Sequence, residues 1–420
     1  MLDRYQKIVT YDLSVKCLTP LRSGAYEGDT ESVLRRPDGR AFVQAASLAG
    51  AFSDWLKESG SAACHEALFG SQKREGSLVF SDLVFSSAAE QQTRPRLRID
   101  GVTGTAAAKA KFDIAHLAVG TEGETRLVWF GDDENSPELL AVQALLSALN
   151  DGFILLGAQK SNGFGRLAVT ARKAVYDMKK PEDRRAWIEG TRFGEPLALS
   201  SGKESRLVRF TVTGKLPNVL VKASTADYSE GSLIGNIREN GTALIPGSSV
   251  KGAVRAQMER IADRFPDGAA LCERLFGREA KEGDNGVAGT VRFSDVILSS
   301  EKTARVTRIR INRFTGGVMR GALFSEETLS SPVRMSVLVP DSPEACAMLL
   351  FALRDLGLGL YGFGSGASIG RGLLTEAEIR AEAPGDRDLT LKFDRGRKAQ
   401  LTDATGLWKE WAGALEGGKA

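Results

Sequence analysis

The segment Ile245-Pro-Gly-Ser-Ser-Val-Lys-Gly-Ala-Val-Arg255 gathers residue types that could hold an anion. Pro-Gly makes a turn, Ser248 or Ser249 can cap a following helix, and Lys251 and Arg255 lie one turn apart on one helical face. Free N–H groups at a helix start, together with two cations, suit a phosphate. The same residues also suit a well-capped helix with solvated charges, and the segment alone does not choose. Two basic stretches speak more clearly. Arg305, Arg308, Arg310, Arg313 and Arg320 fall in a run without an acid, and Arg94, Arg96, Arg98, Lys109 and Lys111 meet only Asp100. In an extended ribbon, Arg-Ile-Arg-Ile puts arginines on one side and apolar residues on the other. Such ribbons suit the backbone of single-stranded RNA; a solvated surface is the alternative. Two glycine-rich tails, Lys160-Ser-Asn-Gly-Phe-Gly-Arg166 and Gly362 through Arg371, let backbone N–H groups approach phosphates. Neither continues into Lys-Ser/Thr, so no Walker loop and no nucleotide or organic cofactor is expected.

Composition removes several alternatives. The 420 residues contain two histidines, His65 and His116, in unrelated contexts, so a His-ligated metal cluster or a Ser-His-Asp triad has little material. Four cysteines without a CxxC pair argue against a disulfide framework and a zinc ribbon, and point to the reducing cytoplasm. No apolar run is long enough to span a membrane, and the N-terminus lacks an apolar signal core. With a net charge of only +3, nucleic-acid binding must come from the distribution of charge.

The elements that position these residues occur twice. Gly76-Ser-Leu-Val-Phe-Ser-Asp-Leu-Val-Phe-Ser-Ser87 returns as Gly289-Thr-Val-Arg-Phe-Ser-Asp-Val-Ile-Leu-Ser-Ser300. Leu68-Phe69-Gly70 returns as Leu275-Phe276-Gly277, and Arg96-Leu-Arg-Ile-Asp100 as Arg308-Ile-Arg-Ile-Asn312. Ala41–Gly50 parallels Ala243–Gly252, and Gly163-Phe-Gly-Arg-Leu167 parallels Ser368-Ile-Gly-Arg-Gly372. The order is kept while the spacing drifts, as in a tandem duplication with altered loops. In each copy a strand (Ile8–Leu18; Leu207–Lys215) precedes a polar loop, a helix (Ser47–Glu58; Ser248–Arg264) and one strand (Leu78–Phe85; Thr290–Leu298). The basic ribbon, another strand, a second helix and a closing strand follow. The expectation is α+β: two tandem ferredoxin-like (RRM-like, βαββαβ) domains, each with a ribbon insertion. The boundaries read as a first domain over 1–172, a linker over 173–204, a second domain over 205–393 and a C-terminal tail over 394–420.

This combination resembles the RAMP superfamily, and more narrowly the backbone subunits of type III CRISPR effector complexes. The residues that carry the resemblance are the IPGSS-x-KG-x-x-R block, LFG, the FSD strand, the RIR-I-(D/N)-x-x-TG ribbon and the glycine-arginine tail. It spans both copies, and the first has a degraded IPGSS block. The resemblance implies a ferredoxin-like palm, a ribbon thumb that kinks the guide–target duplex, and a catalytic Asp in the loop after the first strand. Counting back from Gly39 reaches Asp29; counting back from Gly241 reaches Gly231, with Asp227 and Glu230 nearby as second-domain candidates. Asp29 would act as a base or as a ligand for Mg2+ or another divalent cation, with Arg22 and Arg35 offsetting phosphate charge. The implied partners are CRISPR guide RNA, complementary target RNA and other RAMP-type subunits. Two further readings remain: a scaffold that holds RNA without cutting it, and a guide-processing endonuclease, which would lean on a histidine absent from this loop.

Overall fold

The computed structural model describes residues 5–27, 30–60, 62–99, 106–199, 206–222, 233–280, 284–299, 302–394 and 398–416. The chain forms two compact units. The first comprises Met1–Arg94, Ile114–Lys160 and Phe164–Arg206; the second comprises Pro95–Asp113, Ser161–Gly163 and Leu207–Ala420.

In the first unit the entry strand, Lys7–Cys17, buries Tyr11, Leu13, Val15 and Cys17, the alternation of a strand with one face on a core. Both its edges are paired antiparallel: Leu13 faces Thr125 of the third strand, Glu122–Gly131, and Ala171 of the closing strand, Leu167–Asp177. Across the sheet the order is closing, entry, third, second. The helices Ala45–Glu58 and Pro137–Asn150 contribute Leu48, Phe52 and Leu56, and Val142, Leu145 and Leu149, to the same core. This is the spacing by which a helix keeps one apolar stripe.

The second unit repeats the order. Its entry strand, Leu207–Val219, sets Phe210 opposite Val337 of the third strand and Ala381 of the closing strand, Thr375–Ala383. Two more strands, Arg387–Phe393 and Ala399–Thr402, extend this sheet beyond the closing strand. The third strand is long, Val318–Pro340. Its C-terminal half lies in the sheet, and its N-terminal half pairs with Lys302–Ile311, from Lys302 opposite Ser330 to Ile311 opposite Val318. An isolated two-stranded hairpin is marginal in water, so continuity with the sheet is what supports this ribbon. Gln91–Ile99 and Ala106–Leu117 pair as the corresponding ribbon of the first copy.

Two expectations need correction. The second strand is broken in both copies, into Leu78–Phe80 and Leu83–Phe85, and into Arg292–Phe293 and Val296–Leu298. The break falls at Ser-Asp, whose carboxylate has a task described below. Residues 173–204 are not a bare linker: Pro181–Glu189 is a helix and Glu195–Leu197 pairs with the closing strand. The charged run there folds because Asp183 accepts the Asp177 N–H at 2.8 Å and pairs with Arg192, while Trp187 packs edge-on at 5.3 Å from Tyr176. The C-terminal segment reads from its sequence as a short amphipathic helix with a frayed terminus, and the helix forms against the core. Asp403 accepts the N–H groups of Leu407 and Trp408, both at 2.9 Å, and starts the helix Leu407–Glu416. Leu407 and Trp411 are fully buried, with the Trp411 ring 5.7 Å from Phe210. Among the described residues no helix is long and apolar enough to cross a membrane.

Trp411→Ala should therefore destabilise the second unit by about 3–5 kcal/mol, the cost of emptying a large aromatic site. In urea unfolding of the full chain, the transition of the second unit should move to lower urea while that of the first stays. An unchanged unfolding profile would mean that the C-terminal helix adds nothing to the core.

Candidate nucleic-acid interface

The Asp of each Ser-Asp break caps a helix from a distance. Asp295 Oδ1 accepts the Gly247 N–H at 2.6 Å, and Asp82 Oδ1 accepts the Ala45 N–H at 2.9 Å. Neither Ser248 nor Ser249 caps the Gly247–Ala262 helix, which starts one residue earlier than expected, with Pro246 at the cap position. The Ser249 N–H is taken by the Pro246 carbonyl at 2.8 Å. A carboxylate thus already occupies the positive end of this helix, which weakens the tip as an anion site. The cations lie further along.

Lys251 Nζ donates to Ser161 Oγ at 3.1 Å, within the second unit. Burial, reinforced by the charges of Arg255 and Arg96, lowers the Lys251 ammonium to about 8. Arg255 shares its guanidinium between Glu259 Oε1 at 2.7 Å and the Gly277 carbonyl at 3.3 Å. The backbone is tight around Gly247: a Cβ there would stand 2.6 Å from the Asn162 carbonyl and 2.8 Å from that of Phe293. At the matching positions the first copy has Ala45, Ala49 and Ser53, so it keeps the capped helix without the cations.

In the ribbon of the second unit, the strand Lys302–Ile311 is open to solvent along nearly its whole length. Arg310, Arg313 and Arg320 are exposed. Arg308 is half-buried, 5.8 Å from the Phe324 ring. The apolar side is not covered by any described residue: Ile309, Ile311 and Val318 are each more than half exposed, and Phe314 is completely so. Asn312 builds the turn that presents Phe314, accepting the N–H groups of Phe314 at 2.8 Å and Thr315 at 3.2 Å. Phe314 is a candidate that the charge pattern alone misses; its signal was an aromatic set between Arg313 and a Thr-Gly turn. Exposed aromatics among arginines offer bases a stacking surface. In the first copy Arg94 is buried, its guanidinium 4.9 Å from the Phe164 ring, and Arg96 is half-buried. The side chains of Arg98, Lys109 and Lys111 lie outside the described residues.

The glycine tails align differently from their Gly-Arg text. Gly157 and Gly364 each face a carbonyl of the segment after the entry strand, that of Arg22 and that of Leu220. Gly165 and Gly372 face the carbonyls of Leu156 and Phe363, where a Cβ would stand 2.0 Å away in both. Arg371 is therefore the counterpart of Phe164, not of Arg166. Arg371 is 8 % exposed and donates to Glu326 Oε2 at 2.6 Å. Arg166 lies against Gly152, Lys160 begins a half-buried turn, and the Arg22 carbonyl receives the Ala158 N–H at 2.9 Å. Asp29, Asp227 and Glu230 fall outside the described residues. Among the described residues no three His, Cys, Asp or Glu side chains converge as a metal site.

A family model described as the RAMP superfamily matches residues 14–168 and 232–375, one stretch in each copy and well over half of the chain. No curated protein matches the chain.

Lys251 gives this surface a pH signature. As pH rises from 7 to 9 its charge is lost, so affinity for single-stranded RNA should fall and the salt dependence should weaken by about 0.7 in log–log slope, the share of one phosphate contact. Folding carries the opposite sign: between about 8 and the ordinary lysine range the unfolded chain holds the extra proton, so stability rises with pH there. Lys251→Arg should abolish the change in salt slope, as fluorescence anisotropy at two pH values would measure. An identical slope at both pH values in the unsubstituted chain would remove Lys251 from the interface.

Proposed function

Because the chain belongs to the RAMP superfamily, as a tandem pair whose membership implies a CRISPR-associated RNA-binding function, we propose that it is a guide-RNA-binding backbone subunit of a type III CRISPR ribonucleoprotein. Each unit would be a ferredoxin-like palm, a reading supported by the strand order closing, entry, third, second in both sheets. The observation that carries the proposal is the second-unit ribbon. It presents exposed Arg310, Arg313 and Arg320 beside a fully exposed Phe314. Arginines would neutralise phosphates while the ring stacks on a base, and neither contact needs a particular sequence. Base pairing with the guide would select the complementary target, and neighbouring RAMP-type subunits would continue the assembly.

Cleavage of the target would belong to the first unit, through Asp29. A nucleotide kinked by the thumb can align its own 2′-OH with the adjacent phosphorus, so positioning supplies much of the acceleration. The Asp29 carboxylate would take the 2′-OH proton as the oxygen attacks phosphorus. The bond to the 5′ oxygen breaks, that oxygen takes a proton from water, and the products are a 2′,3′-cyclic phosphate and a 5′-hydroxyl. A divalent cation held by Asp29 would stabilise the charge that develops on the phosphate oxygens. The second unit has Gly231 at the matching position, which favours a purely scaffolding role there, with Asp227 and Glu230 as its remaining candidates. A guide-processing role is disfavoured by both histidines: His65 bonds Ser53 at 2.8 Å, and His116 is buried 5.4 Å from the Phe164 ring.

Asp29→Asn should leave assembly and target binding intact and slow cutting at the first-unit site by roughly 10²-fold, the scale of losing a general base. On a denaturing gel of labelled target, one band should vanish from the ladder of cuts. An unchanged ladder would make the first unit a scaffold, and failure to bind RNA at all would overturn the reading itself.

A further inference from the structure

The short helical turn Lys160–Asn162 and the glycine after it return in the second copy as Ala367–Ile369 and Gly370. The register is the one that matches Gly157 with Gly364 and Gly165 with Gly372. Gly163 and Gly370 both hold a positive φ, 94° and 82°, so the two turns close alike. Their surroundings differ. Ser161–Gly163, though part of the first copy, belongs to the second compact unit. There a Cβ at Gly163 would stand 2.8 Å from the Phe293 carbonyl and 3.0 Å from the Asp295 nitrogen. The Asn162 carbonyl lies 2.6 Å from where a Cβ of Gly247 would be, and Ser161 Oγ accepts from Lys251 Nζ at 3.1 Å. At Gly370 a Cβ would meet nothing within 4 Å, and Ser368, Ile369 and Gly370 are all exposed.

The turn is therefore one half of a joint whose other half is a helix start. The receiving half, in the second unit, has buried Pro246 and Gly247, Lys251 one turn further on, and the strand break at Phe293–Asp295. Glycine is needed there because the incoming carbonyl takes the place of a side chain. The first unit keeps the Asp-capped helix start but not these residues: Ala45 stands for Gly247 and Ala49 for Lys251. Its Gln44 is exposed where Pro246 is buried. The Ala45 methyl would lie in the path of the turn's carbonyl, and Ser368 would find no ammonium to accept from. A single misplaced methyl and a missing partner are how an interface rejects a near match. The chain thus carries two donor turns and one fitting receiver.

We infer that the turn Ala367–Gly370 docks on a different RAMP-type subunit, one whose helix starts with Pro-Gly under an Asp cap and carries a lysine one turn on. A second copy of this chain does not fit, because its first unit presents Ala45 and Ala49. The contact is head-to-tail, so assembly continues through another kind of subunit rather than as a filament of this one. This rests on the backbone-subunit reading above, and it adds which surface meets the neighbour and what that neighbour must carry.

The test builds the missing receiver. Ala45→Gly with Ala49→Lys in the full chain should turn a monomer into oligomers that grow with concentration, read by sedimentation velocity without RNA. The unsubstituted chain should stay monomeric. Adding Gly370→Leu, which sets a side chain in the joint, should return the receiver variant to monomer. A receiver variant that unfolds cooperatively yet stays monomeric would overturn the inference. Self-association of the unsubstituted chain that Gly370→Leu abolishes would overturn the exclusion of a second copy. Should the receiver variant fail to fold, p-benzoylphenylalanine in place of Ile369 decides the matter. In the ribonucleoprotein purified from its host, ultraviolet light should join it to a neighbour's peptide at a Pro-Gly helix start; adducts to RNA alone would make the turn an RNA contact and overturn the docking. Absence of RNA binding by the unsubstituted chain would overturn the RNA-binding reading, which the sedimentation result does not touch.

Discussion

One hydrogen bond, made twice, sets the geometry on which the rest depends. In each unit an Asp of the second strand accepts the first N–H of the helix that follows the entry loop, Asp82 from Ala45 and Asp295 from Gly247. The same Asp lies where the second strand is interrupted, between Phe80 and Leu83 and between Phe293 and Val296. The bond fixes where the helix begins, and so where its fifth and ninth residues project. In the second unit those are Lys251 and Arg255; in the first they are Ala49 and Ser53, the latter bonded to His65. One scaffold thus carries a cationic face in one copy and a neutral one in the other.

The repeat, the ribbons and the order of elements were legible because they rest on local pattern: period-two alternation, apolar helical stripes and glycine placement. What escaped depends on contacts far apart in the chain. The Ser-Asp break reads as continuous strand until the helix start that Asp295 serves is known. The charged stretch after residue 177 reads as linker until Asp183 is seen to be spent on Arg192 and a backbone N–H. Trp408-Lys-Glu-Trp411 reads as a short amphipathic helix, but not as one whose Trp411 closes the core beside Phe210. The tails aligned wrongly on Gly-Arg because text similarity is blind to backbone approach, and the close carbonyl contacts of Gly165 and Gly372 give the true register.

The same correction shows how duplication redistributed interior and surface. By its sequence Arg371 reads as a phosphate ligand, but it is an interior partner of Glu326 whose first-copy counterpart is an aromatic ring. Phe314, absent from any charge count, is the most exposed aromatic on the ribbon. Cations near the sheet are held by other side chains, and those toward the ribbon tip are free to meet a ligand, a gradient from fixed to adaptable contacts.

The central claim is that RNA lies along the ribbon and the cationic helix face of the second unit. Photocrosslinking of a 4-thiouridine-substituted single-stranded RNA to the full chain, followed by mass spectrometry of the adducts, tests it most directly. The account predicts adducts at Phe314 and its neighbours on Lys302–Pro340, and at residues flanking Lys251, with loss of the ribbon adducts in excess unlabelled RNA. Adducts confined to the face formed by Pro343–Gly357 and Leu407–Glu416, with none on the ribbon, would contradict it.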